Sequence, residues 1–141
     1  MIRHSALDPG ARELVQAARA VRRRAHAPYS GFKVGAALRS RDGRIFTGCN
    51  VENASLGATV CAERGALMQA VAAGARRGQL QQLAIFTTDS QPARPCGMCL
   101  QVLVEFARDL PLLLANGRGV ECVRLKELLP WPFEGFPPRR R

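Results

Sequence analysis

No apolar run in this chain approaches the roughly 18 residues that a membrane-spanning helix needs. Its start, Met1-Ile2-Arg3-His4-Ser5, leads into no apolar core of a secretory signal. Together these absences predict a protein that stays in the cytoplasm and has no membrane partner. Lysine is nearly missing: Lys33 and Lys126 are the only two, so the net charge of +10 is carried by arginine. Aromatic residues make up 6% and none is interleaved with the short arginine runs at 22–24, 76–77 and 139–141. A surface that stacks single-stranded bases needs such interleaving. The charge is therefore read as arginines spread over solvated faces, which weighs against a nucleic-acid partner. No repeat and no linker interrupts the sequence. Hydrophobic residues at 47% suffice for one core, so residues 1–141 read as a single domain, with about 134–141 as a flexible tail.

What the chain does have is five cysteines, an odd number, three of them in suggestive places. Cys96 and Cys99 lie in Pro95-Cys96-Gly97-Met98-Cys99, one helical turn apart, so a helix puts both sulfurs on one face. Cys61 lies upstream in Thr59-Val60-Cys61-Ala62-Glu63-Arg64. In a reducing compartment such spacing favours zinc over disulfides. A zinc ion with three protein ligands keeps a fourth position for water, whose pKa falls to about 7. Three thiolates outweigh a divalent ion and should blunt that acidity. Helix amide ends beside the sulfurs would offset the effect. Glu63, two residues past Cys61, is the candidate proton shuttle for that water. Arg64 has two open readings: a donor to a ligand sulfur, or a solvent-facing helix residue.

Hydrophobic periodicity lays out the rest. A first helix opens at Asp8-Pro9 and runs to about Ala27-Pro28, with Leu14, Ala18, Val21 and Ala25 on one face. His26 at its end is expected to be a surface or helix-terminal residue. A strand over Phe32–Leu38, the turn Asp42-Gly43 and a strand over Arg44–Cys49 form a hairpin. A helix over about 62–75 carries Leu67, Met68 and Val71 inward and ends at Gly74 or Gly78. A strand over 83–88 follows, then the second cysteine-bearing helix with Leu100, Leu103, Val104 and Phe106 on its apolar face. Strands over 110–115 and 119–125 close the pattern, and residues 126–130 form one helical turn. Cys49 and Cys122 read as small buried hydrophobes. The order implies a three-layer α/β sandwich, a mixed sheet of about five strands between helices.

Between hairpin and Cys61 lies Asn50-Val51-Glu52-Asn53-Ala54. Asn50 and Glu52 are two apart, so an extended segment points both side chains one way. An amide beside a carboxylate suits the vicinal hydroxyls of a ribose. A solvated turn would explain the spacing equally, and the position just before Cys61 favours the first reading.

These stretches resemble a known family over nearly the whole chain. Cys61-Ala62-Glu63 with Pro95-Cys96-Gly97-Met98-Cys99 is the pattern of zinc enzymes that deaminate nucleobases. Pro28-Tyr29-Ser30, Phe32 to Leu38, Asn50-Val51-Glu52-Asn53-Ala54 and Glu127-Leu128-Leu129-Pro130 narrow it to the small, all-cysteine cytidine deaminases. The resemblance implies zinc-dependent hydrolysis of cytidine and deoxycytidine to uridine, deoxyuridine and ammonia, in pyrimidine salvage. It implies that Asn50 and Glu52 hold the ribose, that Phe32 packs on the pyrimidine and that the Ala62 backbone reads the ring's polar edge. It implies a homotetramer in which Phe133 reaches a neighbouring subunit's site. Two positions depart from the family: Leu56 stands where tyrosine is common, and Leu100 where arginine is common. Neither touches the metal or the shuttle, but both bear on substrate choice, so a modified cytosine nucleoside or a cytosine-bearing antibiotic is the alternative substrate.

Two further classes compete. The charge invites a deaminase of bases within nucleic acid, which would flip its base into the pocket. A structural zinc module would need a fourth ligand, and His4 and His26 are remote in sequence, which leaves Cys49 or Cys122.

Overall fold

The structure, a computed structural model, describes residues 1–135. The expected tail over 134–141 falls almost wholly outside these residues.

Helix α1 spans Pro9–Arg22. Asp8 caps it: its carboxylate accepts the Ala11 N–H at 2.8 Å, a contact of about 1 kcal/mol. Ala11, Leu14, Val15 and Ala18 recur at helical spacing and are buried. The helix stops short of the expected end near Ala27-Pro28 because the backbone beyond it is engaged elsewhere. The His26 N–H donates to the Asn50 carbonyl at 3.0 Å, and its own carbonyl accepts the Glu52 N–H at 2.8 Å. His26 itself is exposed.

Strands β1 (Gly35–Ser40) and β2 (Ile45–Cys49) form the hairpin, with Gly43 at φ +88° in its turn. Strand β1 starts later than expected. Around Phe32 and Val34 the backbone pairs with the Asn50 side chain instead of a neighbouring strand. Helix α2 (Ala62–Ala72), β3 (Leu80–Phe86), α3 (Gly97–Val104), β4 (Pro111–Ala115), β5 (Val120–Arg124) and the single turn α4 (Leu125–Leu128) follow. Beyond α2, Gly74 takes φ +99°, a left-handed conformation that favours glycine.

The five strands form one mixed sheet in the order β2-β1-β3-β4-β5. Only β3 and β4 run parallel; the other pairs are antiparallel. Strand alternation splits the apolar residues between two layers. Ala37, Ala84, Phe86, Leu113 and Ala115 face α1. Ala36, Leu38, Leu83, Ile85, Leu112 and Leu114 face the cluster that holds Ala62, Ala66 and Ala70 of α2, Leu100 and Leu103 of α3, and Leu125. The architecture is the expected three-layer α/β sandwich. Among the described residues no helix is long and apolar enough to cross a membrane.

Two expectations fail. Met68 and Val71 do not point inward: they are 57% and 37% exposed, and Ala66, Leu67 and Ala70 fill the interior instead. Glycine and alanine bring α2 too close to the sheet for larger side chains. A methyl on Gly48 would lie 2.3 Å from the Ala62 carbonyl oxygen and from the Ala66 nitrogen. Cys122 is exposed and Cys49 half-buried, so neither is a core residue. On the edge strand β5, Cys122 pairs with Leu113 and so lies on the α1-facing side of the sheet with the buried Val120, but it is exposed there.

Candidate functional site

Both cysteine motifs open helices in the same manner. Cys61 is the extended residue preceding α2 and Cys96 the one preceding α3. Each helix thus presents its amide end to the same small volume, where partial positive charge favours thiolates. Cys99, one turn into α3, completes the trio and is fully buried. The Cys61 and Cys96 sulfurs are 3.8 Å apart, those of Cys96 and Cys99 3.6 Å. All three lie within 4.8 Å of one another. Bonds of about 2.3 Å from sulfur to a tetrahedral zinc would put sulfurs about 3.8 Å apart, so the trio fits that ion. The chemistry of the trio agrees. Hydrogen bonds from Cys99, Arg64 and Cys96 draw the Cys61 thiol down to about 5. The Cys61 sulfur and burial push Cys99 up. Three sulfurs this close share protons unless a cation sits among them.

Glu63 is 5% exposed. Burial, with the Cys61 sulfur adding to it, raises its carboxyl to about 7. A carboxyl poised there can both take and give a proton at neutral pH. Arg64 Nη2 donates to the Thr59 carbonyl at 2.6 Å and lies 3.9 Å from the Cys61 sulfur. Its Nε is buried without a hydrogen-bond partner among the described residues. Ala62 opens α2, where an amide N–H has no carbonyl partner within its own helix.

Asn50 and Glu52 form a second group. The Asn50 side chain accepts the Val34 N–H and donates to the Phe32 carbonyl, both at 2.8 Å. Glu52 Oε2 accepts the N–H groups of Tyr29 at 2.9 Å and Ser30 at 3.2 Å, and Oε1 accepts the Ser30 hydroxyl. The Ser30 oxygen in turn accepts the Phe32 N–H at 3.0 Å. The Ser30 contact, above all, holds the Glu52 carboxyl below its ordinary value despite burial. Asn50 and Glu52 are 7% and 8% exposed, while Phe32 is 38% exposed. Sequence reasoning missed Ser30, because a serine in a turn carries no signal of the carboxylate it will meet. The chain between the two groups turns back on itself where Val51 pairs with Val60, which brings Cys61 to the end of the Asn50–Glu52 segment.

Phe133 stands apart. It is 72% exposed, and its backbone hydrogen-bonds the side chain of Gln101 on α3. Leu56 sits in a short 3-10 turn at 63% exposure, and Leu100 is 8% exposed in the apolar layer of α3. A charged residue could not replace Leu100 there without moving out of that layer.

Comparison with known proteins agrees with this geometry. The sequence model of the cytidine and deoxycytidylate deaminase zinc-binding region matches residues 10–112. A cytidine deaminase of Sporosarcina psychrophila is 41% identical over 123 residues, which is 86% of this chain and 89% of that one. One from Mycobacterium tuberculosis is 41% identical over 119 residues, 83% of this chain and 86% of that one. The crystal structure of a cytidine deaminase from Burkholderia pseudomallei superposes with a TM-score of 0.84 at 46% identity, covering 90% of this chain and all of that one.

Proposed function

We propose that this chain, which belongs to the cytidine and deoxycytidylate deaminase family, hydrolyses cytidine and deoxycytidine to uridine and deoxyuridine with release of ammonia. The observation that carries the reading is the buried Glu63 carboxyl two residues past Cys61, beside three sulfurs within 4.8 Å of one another. Cys61, Cys96 and Cys99 would hold one zinc ion, which supplies the Lewis acidity that makes hydroxide available near neutral pH. Glu63 takes a proton from the attacking water and delivers it to the ring nitrogen. It then takes the second proton from the oxygen that has added to the ring carbon and passes it to the exocyclic amine, which leaves as ammonia as the C–N bond breaks and the carbonyl forms. Arg64 holds the loop before Cys61 through Thr59 and offsets charge on the Cys61 sulfur.

Asn50 and Glu52 orient the ribose, and Phe32 packs on the pyrimidine. Both polar side chains also shape the loop at 29–34, so one pair of residues sets the wall of the pocket and its polar contacts. The unspent N–H at the start of α2 reads the polar edge of the ring. Phe133 reaches the site of a neighbouring subunit in a homotetramer. The exposed Met68 and Val71 of α2, Val102 of α3, Trp131 and Phe133 are the apolar surface such an assembly would cover. The enzyme works in the cytoplasm, in pyrimidine salvage.

A panel of cytidine, deoxycytidine, 5-substituted cytidines and cytosine-bearing antibiotics, scored for ammonia, tests the reading. Cytidine and deoxycytidine should lead. Turnover confined to a modified cytosine nucleoside would shift the assignment to the substrate class that Leu56 leaves open. Light scattering of the purified protein checks the tetramer.

A further inference from the structure

Helix α3 carries Gln101 two residues past Cys99. The Gln101 side-chain amide makes two hydrogen bonds to a single residue: Nε2 donates to the Phe133 carbonyl at 2.7 Å, and Oε1 accepts the Phe133 N–H at 3.0 Å. A primary amide offers a donor and an acceptor side by side, as a peptide group does, so the pair copies one rung of an antiparallel ladder. The neighbouring residue is held as well, by a 2.8 Å ion pair between Arg108 and Glu134. Residues 132–135 have no helix or strand of their own. Trp131 and Phe133 are 90% and 72% exposed, so burial among the described residues does not order this segment. Ordering each residue costs on the order of 1–2 kcal/mol, and among the described residues the polar side-chain contacts that oppose this cost are those of Gln101 and Arg108.

We infer that Gln101 is a positioning residue for the deamination reaction: its side-chain amide latches the segment bearing Phe133 to the helix bearing Cys99. The inference rests on the reading that Phe133 packs at a deaminase site. With the latch closed, Phe133 reaches that site in one fixed register with α3. With the latch removed, the segment must be ordered when substrate binds, so the loss falls on substrate binding and leaves the chemical step intact.

Trp131, the only tryptophan, reports on the segment directly. In the zinc-loaded full-length protein, Gln101→Ala should lower Trp131 fluorescence anisotropy and increase its quenching by acrylamide. It should raise KM for cytidine about fivefold to tenfold, the weight of two hydrogen bonds, with kcat and zinc content unchanged. Gln101→Glu keeps the acceptor and loses the donor, and should fall between the two. Phe133→Ala should raise KM, and adding Gln101→Ala to it should raise KM no further, because the latch acts through that residue. Unchanged anisotropy and KM in Gln101→Ala overturn the inference, as do multiplying effects in the double variant. Lowered anisotropy combined with a silent Phe133→Ala overturns it for a separate reason: the latch exists, but the reading of Phe133 has failed.

Discussion

Gly48 of β2 lies so close beneath Ala62 of α2 that a methyl group on it would sit 2.3 Å from the Ala62 carbonyl oxygen. Gly65 of α2 lies opposite: a Cβ on it would meet the Gly48 Cα at 3.5 Å, an ordinary contact, so the tight side of this approach is Gly48. The start of α2, and with it Cys61 and Glu63, is therefore seated on bare backbone. Gly48→Ala should push the helix off the sheet. The expected loss is about 3 kcal/mol, seen as a fall in Tm of roughly 10 °C. Turnover should fall with it. An alanine variant with wild-type melting would mean that α2 can shift freely.

Glu63→Gln keeps the shape of the side chain and removes its proton chemistry. Folding and zinc content should stay as in the wild type, while kcat falls by at least about 100-fold. Ammonia release at a near wild-type rate would take Glu63 out of the mechanism.

Arg64→Ala removes the 2.6 Å bond to Thr59 and the guanidinium beside the Cys61 sulfur. A charged hydrogen bond of this kind contributes about 1.5–3 kcal/mol. Zinc affinity should drop roughly tenfold or more, measured by competition with a chromogenic chelator. Unchanged zinc affinity would make Arg64 a residue of the loop alone.

Cysteine identity separates the metal trio from the other two thiols. Cys99→Ser should abolish stoichiometric zinc, measured by elemental analysis, and with it turnover. Cys122→Ser, at an exposed position on β5, should leave both unchanged. Chelation of the wild type should lower Tm, because a ligand that binds only the folded state stabilises it.

The Glu52 clamp carries a pH signature. Its carboxyl is held below the ordinary 4.5, first by the Ser30 hydroxyl. A depressed carboxyl stabilises the fold above its unfolded value and loses that contribution as pH falls through its folded value. The stability gap between the wild type and Glu52→Gln should therefore be full at about pH 6 and close as pH falls below about 4.5. Urea titrations at several pH values measure it. A gap independent of pH would mean that the carboxylate charge does not hold the Tyr29–Ser30 turn.

Much of this molecule could be read before folding it. The cysteine trio was legible because metal chemistry demands particular atoms at particular spacings, and Cys61, Cys96 and Cys99, whose sulfurs the structure brings within 4.8 Å of one another, announce them in one dimension. The alternation of helix and strand was legible because periodicity of apolar residues is local. Errors arose where a residue's surroundings come from elsewhere in the chain. Met68 and Val71 match an inward helical face by period, yet the glycine contact at Gly48 sets which side of α2 meets the sheet. The backbone from Ala25 onward could have continued a helix, but Asn50 and Glu52 take its hydrogen bonds. Local sequence determined which groups are candidates for the chemistry and, for the most part, which segments form helix or strand. Only the tertiary structure decided that Glu63 is buried enough to titrate near neutrality, that Ser30 meets Glu52, and that Gln101 holds Phe133. The physical reason is that desolvation and hydrogen bonding act between neighbours in space, and those neighbours lie far apart along the chain.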